Sequence, residues 1–182
     1  MYEINVEIKG ASPLLMHRFG EETADKPTTK RTGRPDYSKQ AEKALYLLDD
    51  GKTIYTPSSH IEGTLREAGK QFKITGKGKS NFSKLMGSSV NVTPDAIPHK
   101  IQAWKVDARP VVIQRSRIMR YRPRFDEWKL AFRIEVMDDD IPFDVVNQIL
   151  THAGTYVGIG DFRPDKKGKF GRFTVTRFEQ NK

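Results

Sequence analysis

The chain has 182 residues, 36% hydrophobic and 30% charged, with a net charge of +9 and a pI near 9.7. The length predicts one domain and the apolar content supports a core, which excludes wholesale disorder. The absence of cysteine excludes a disulfide framework, a thiol nucleophile and a thiolate metal site. No apolar run approaches the roughly 20 residues of a membrane span, and Met1–Asn5 lacks a signal-peptide start, so a cytoplasmic protein with no membrane partner is expected.

Tyr2 to Gly10 alternates, with Ile4, Val6 and Ile8 on one side and Glu3, Asn5, Glu7 and Lys9 on the other, the pattern of a half-buried strand. Residues 20–38 are rich in Thr, Lys, Gly and Pro and read as a long mobile loop. Residues 44–56 read as a hairpin whose turn is Asp50-Gly51. A helix then opens at Pro57-Ser58-Ser59. Ser59 and Glu62 have capping-box spacing, and Ile61, Leu65, Ala68 and Phe72 form an apolar stripe. Gly63 inside that helix costs about 1 kcal/mol relative to Ala, which suits close packing or approach to a ligand.

Residues 74–99 read as an insertion of weak structure. Trp104–Gln114 and Glu127–Met137 read as strands, joined by an arginine-rich hairpin at 115–125. Pro142-Phe143-Asp144 opens a second helix with Val145, Val146, Ile149 and Leu150 inward. The acids of Asp138-Asp139-Asp140 suit the positive end of its dipole better than a divalent ion. A glycine-rich loop covers 158–171, and Phe173–Phe178 forms the last strand. With the first hairpin set aside, the order is strand, helix, strand, strand, helix, strand. That predicts an α+β, ferredoxin-like (RRM-like) βαββαβ core with an antiparallel sheet, in one domain spanning 1–182. RNA-recognition modules with this layout present the sheet face and its loops to nucleic acid.

Charge is unevenly placed. Residues 100–133 carry a net +7 and residues 161–172 a net +3, leaving −1 for all the others. Such concentration is the footprint of a polyanion-binding surface; a solvated, solubilising face is the competing reading. In the loop, Gly160 and its neighbouring glycines let the backbone approach a phosphate, with Arg163, Lys166, Lys167, Lys169 and Arg172 adding charge. In the hairpin, Arg115, Arg117, Arg120 and Arg122 suit phosphate forks and Tyr121 suits base stacking. Edge protection by charge is the alternative there. His17, His60, His99 and His152 have no metal-ligand spacing. No catalytic residue, metal or cofactor is expected, though His17 or His60 is a conceivable general base.

Thr56-Pro57-Ser58-Ser59-His60-Ile61-Glu62-Gly63-Thr64-Leu65-Arg66 is similar to the Pro-Gly-Ser-Ser-x-x-Gly-x-x-Arg signature of the RAMP superfamily of CRISPR systems, with Ser58 where the signature has Gly. Phe170-Gly171-Arg172-Phe173, closing a glycine-rich loop before the last strand, resembles that family's C-terminal loop. The likeness covers roughly 2–10 and 45–178 and is nearest to the branch of backbone subunits that line up along guide RNA. It implies that Ser58, Ser59, Gly63 and Arg66 lie near an RNA path, and that Gly158, Gly160, Gly168, Gly171 and Arg172 form a loop against the sheet. It also implies that 74–99 or 115–124 reaches a neighbouring subunit or strand. The expected protein binds single-stranded RNA (or DNA) by its backbone without cleaving it. Its expected partners are that strand, further copies of itself along it, and other effector-complex subunits. A metal-independent endoribonuclease of the same superfamily and a virus-encoded structural or inhibitor protein with a basic docking face are the alternatives.

Overall fold

The computed structural model describes residues 1–18, 37–113 and 116–181. The loop expected at 20–38 lies outside the described residues except for its last two positions, which open helix α1 (Tyr37–Glu42). Arg115 also lies outside them.

The core is one four-stranded antiparallel sheet. Strand β1 (Tyr2–Gly10) lies between β8 (Lys129–Val136) and β9 (Phe173–Gln180), and β4 (Val90–Thr93) flanks β8. The expected alternation sets the register: Val6 faces Phe132, Ile8 faces Leu130, and Val92 faces Ile134. These side chains point to one side and are buried. Helices α2 (Ser58–Ala68) and α4 (Phe143–His152) cover that side with Ile61, Leu65, Val146, Ile149 and Leu150. Each large apolar side chain so buried contributes about 1.5–3 kcal/mol. In chain order the core runs β1, α2, β4, β8, α4, β9, which is the ferredoxin-like α+β arrangement with additional elements.

The second core strand is not the expected one. Trp104–Gln114 was the natural choice, but β6 (Lys105–Ile113) pairs with β7 (Ser116–Phe125) in a separate sheet. The place in the core belongs to β4, inside the expected insertion, after α3 (Ser83–Ser88). Four residues are too short to show a period, and the Gly and Ser residues before β4 and Pro94 after it read as turns. The longer segment carries Asp107 and Pro110, which suit a ribbon better than a central strand. The arginine-rich run is therefore itself a strand. Its register sets Arg120 opposite Arg109 and Arg122 opposite Asp107. Short β2 (Leu14–Leu15) pairs with Phe125 and Arg124, joining the ribbon to the body.

Two local expectations also change. Helix α2 has no side-chain cap; the Glu62 carboxylate accepts instead from the Val92 amide at 3.1 Å, tying helix to sheet. The hairpin at 44–56 reduces to a single bridge between Leu47 and Ile54. At its turn Gly51 alone of the Asp50-Gly51 pair has a positive φ, 65°, and Asp50 instead accepts from the Lys52 and Thr53 amides at 2.8 Å each. Residues Tyr55–Pro57 form β3 and pair with β5 (Ala96–Pro98).

Candidate nucleic-acid interface

The sheet face opposite the helices is a lattice of ion pairs. Glu7 is bound by Lys100 at 2.5 Å and Lys129 at 2.6 Å, which hold its carboxyl down to about 2. Arg133 pairs with Glu3 at 3.3 Å, and Arg177 with Glu179 at 2.6 Å. The central positions of this face are Asn5, Glu7, Ala131, Arg133 and Arg177, with no aromatic among them. The expected RRM-like use of the sheet face therefore finds no stacking platform there.

The two motifs that carry the resemblance meet elsewhere. The first turns of α2 and the glycine-rich loop enclose a groove of about 330 Å³. Ser59, His60, Gly63 and Arg66 come from the helix, and Gly160, Arg163 and Lys166 from the loop. Thr64 Oγ1 joins the two, lying 2.8 Å from the His60 carbonyl and 3.0 Å from the Gly158 carbonyl. Gly63 opens onto empty space, so its missing side chain leaves room in the groove rather than serving packing. Ser59 and Arg66 are exposed, whereas Ser58 is buried and donates its amide to the Asp95 carbonyl at 2.7 Å.

The loop's glycines serve the chain's own packing. Gly160 has φ 75°, and a Cβ there would press on the Leu15 carbonyl; Gly171 has φ 70°, and a Cβ there would overlap the Ile159 carbonyl. The amides are likewise used internally. Asp161 N donates to Leu15 O at 2.9 Å, Gly168 N to Arg163 O at 2.9 Å, Gly171 N to Pro13 O at 2.8 Å, and Arg172 N to Ser12 Oγ at 3.0 Å. Side chains, more than amides, remain for an anion. Asp165 aligns two of them, Arg163 at 3.2 Å and Lys166 at 3.0 Å, and both cations keep further donors. Lys167 and Lys169 are exposed on the same loop. Arg172 is half-buried, with Nη1 on the Thr155 carbonyl at 2.5 Å.

His60 stands edge-on to Tyr46, with ring centroids 5.6 Å apart. Burial and, secondarily, Arg163 lower its pKa, so the imidazole is neutral at pH 7. Glu67, the groove's other acid, is engaged by Lys70 at 2.6 Å. The groove is therefore a cationic channel with one neutral imidazole in its wall.

On the ribbon, Arg117 is exposed, and Arg120 and Tyr121 are half-exposed. Arg122 is placed differently from the expected outward row: it is 5% exposed and forms an ion pair with Asp161 of the loop. It fastens ribbon to loop. Arg109 and Arg124 lie over the buried Phe170 ring, at 4.7 and 5.8 Å from its centroid, and both pair with Asp107. Sequence reasoning did not single out Asp107, Asp161, Asp165 or Thr64. The helical spacing of Ser59, Gly63, Arg66 and Glu67 was a signal for the helix half of the groove. The acids lie in basic runs, where their pairing has no sequence signature.

Asp138 accepts from the Asp140 amide at 2.9 Å, and Asp139 pairs with the Met1 amino group. Among the described residues no three His, Asp or Glu side chains gather as a metal site, and no helix is long and apolar enough to cross a membrane.

No family model matches the chain, and neither does any curated protein. Among solved structures, it is similar to a chain of a structure described as "Type IV-B CRISPR Complex", with a TM-score of 0.49 and 13% identity over 97% of this chain and 90% of that one.

Proposed function

We propose that this protein binds single-stranded nucleic acid, RNA in preference to DNA, through its phosphate backbone, without cleaving it. The observation that carries the reading is the groove. Two motifs separated by about a hundred residues come together there, lined by Ser59, Arg66, Arg163 and Lys166, on a loop that the Arg122–Asp161 pair fastens to the basic ribbon. Arg117, Arg120, Lys167, Lys169 and Arg172 supply flanking positive charge, and Tyr121 a stacking face. Backbone recognition of this kind is tolerant of sequence and strongly salt-dependent. In this reading several copies line up along one strand in the cytoplasm, as in a CRISPR backbone subunit, and meet other effector-complex subunits.

The test is a titration of labelled single-stranded RNA, single-stranded DNA and duplex DNA at two salt concentrations. Tight, salt-sensitive binding that favours the single strands is expected. Absence of binding to all three at physiological salt would leave the basic surface as a protein-docking face. RNA cleavage that survives a chelator and is lost in a His17→Ala or His60→Ala protein would instead make it an endoribonuclease.

A further inference from the structure

One basic segment belongs to neither the groove nor the ribbon. Residues 68–94 hold five lysines and no acid. Lys70 pairs with Glu67. Lys73, Lys77, Lys79 and Lys84 are exposed and have no ion-pair partner among the described residues. Other cations of the protein are braced: Asp165 holds Arg163 and Lys166, Asp107 holds Arg109 and Arg124, and Glu7 holds Lys100 and Lys129. Unbraced like charges repel one another in the free chain and attract whatever carries the opposite sign.

Lys77, Lys79 and Lys84 surround a concavity of about 490 Å³ that also takes in Ile74 and Leu85. A tight hairpin shapes it. The Ile74 amide donates to the Ser80 carbonyl at 2.9 Å, and the Ser80 amide to the Lys77 carbonyl at 3.1 Å. Phe82 and Met86 are buried and anchor the hairpin and α3 in the core. The hole is preformed, with cations and two apolar side chains around it. No aromatic ring and no arginine lines it, so it offers a nucleic acid neither a stacking face nor a guanidinium fork.

The complementary feature lies beside the other end of α3. The Met137 amide donates to the carbonyl of Ser89, just past that helix, at 2.8 Å, and the Met137 side chain is 55% exposed. Asp138, Asp139 and Asp140 follow it, and Asp144 stands in the first turn of α4. The Met1 amino group engages Asp139, while Asp138, Asp140 and Asp144 have no ion-pair partner among the described residues. An adaptable thioether flanked by carboxylates is a knob that matches the lysine-rimmed hole in both polarity and charge. The six residues of α3, about 9 Å of helix, hold knob and hole apart, so one molecule cannot fill its own hole.

We propose that the hole receives the Met137–Asp140 turn of a second copy of this chain, reciprocally, in a two-fold dimer that forms without nucleic acid. Met137 then lies on Ile74 and Leu85, and the carboxylates meet Lys77, Lys79 and Lys84. Because hole and knob flank one short helix, a two-fold axis beside α3 brings each knob to the other molecule's hole and closes the pair. Gly87 and Ser88, exposed on α3, leave room for the approach. The contact uses no residue of the groove and does not rest on the strand-binding reading.

Sedimentation equilibrium of the protein without nucleic acid is the experiment. A monomer–dimer equilibrium that weakens as salt rises is expected. The double variants Lys77→Glu with Lys79→Glu, and Asp138→Lys with Asp140→Lys, should each weaken the dimer about a hundredfold, because like charges then meet in both halves of the contact. An equimolar mixture of the two should dimerise again, since each supplies the charge the other lacks. Met137→Lys, at an exposed position, should also be monomeric where the wild type is dimeric. A wild-type protein that stays monomeric up to about 1 mM would overturn the proposal. So would an undiminished dimer in Met137→Lys, or a mixture that stays monomeric although both double variants keep the wild-type circular dichroism. Association that grows past the dimer with concentration would overturn the two-fold closure. A wild-type monomer whose RNA affinity falls on changing Lys77 and Lys79 to Glu would assign those lysines to the strand and overturn the dimer.

Discussion

His99 is the most deeply buried titratable side chain among the described residues. It is 4% exposed, its Nε2 is 2.8 Å from Thr56 Oγ1, and its ring leans on Phe125. Burial lowers its pKa to about 4. Because the folded value is depressed below the unfolded 6.5, the unfolded chain binds the proton first as pH falls. The resulting stability is present above about pH 6.5 and is lost as pH drops toward 4. Between pH 7 and pH 5 the expected loss is about 2 kcal/mol, read from urea midpoints. His99→Gln should flatten that slope, leaving only what His17 and His60 contribute, since burial lowers both. An unchanged slope would show that His99 is not the responsible group. At the same scale, Arg163→Ala and Lys166→Ala each remove one cation from the groove. Each should reduce the slope of log affinity against log salt by about 0.7 on single-stranded RNA. A slope that stayed the same in both variants would separate the groove from the binding surface.

At the scale of elements, α2 has two tasks that its sequence periodicity separates. Ile61, Leu65 and Ala68 fill the core, and Ser59, Gly63 and Arg66 line the groove. Leu65→Ala should therefore cost about 2–5 kcal/mol of stability, measured by denaturant unfolding. At temperatures where the variant remains folded, RNA affinity should change little. A large loss of affinity at full foldedness would mean that the groove depends on core packing more than its geometry indicates. The strands differ in how plainly they announced themselves. β1 and β8 alternate over eight or more residues and stood out. β4 has only Val90 and Val92 to bury, and its neighbour Glu62 was read as a helix cap because the Val92 amide it meets lies 30 residues away.

At the scale of the molecule, the charge is divided by segment. The ribbon region and the loop hold a net +10 between them, and everything else is near neutral. The Arg122–Asp161 pair joins these two basic segments across 39 residues of chain. A strand following the groove toward the ribbon would meet Arg66, Arg163 and Lys166 and then Arg120, and a long strand has room for more than one copy. Sedimentation with saturating long RNA is expected to give complexes that grow with RNA length. A single bound monomer at every length would remove assembly from the reading and leave strand binding intact.

The α+β class, the two long inner strands, both core helices and the two basic segments were legible in the order of residues alone. Each of these follows from local periodicity or from charge counted along the chain, which need no knowledge of what lies opposite. Only the tertiary structure decided that β4 rather than β6 completes the core, and that Arg122 turns inward to Asp161. It also decided that the loop's glycines and many of its amides serve its own packing, and that Ser59 and Arg66 face Arg163 and Lys166 across one groove. Those outcomes depend on pairings between distant segments. Burial, ion pairing and close backbone approach are set there by the partner, and a residue's type does not reveal which partner it will meet.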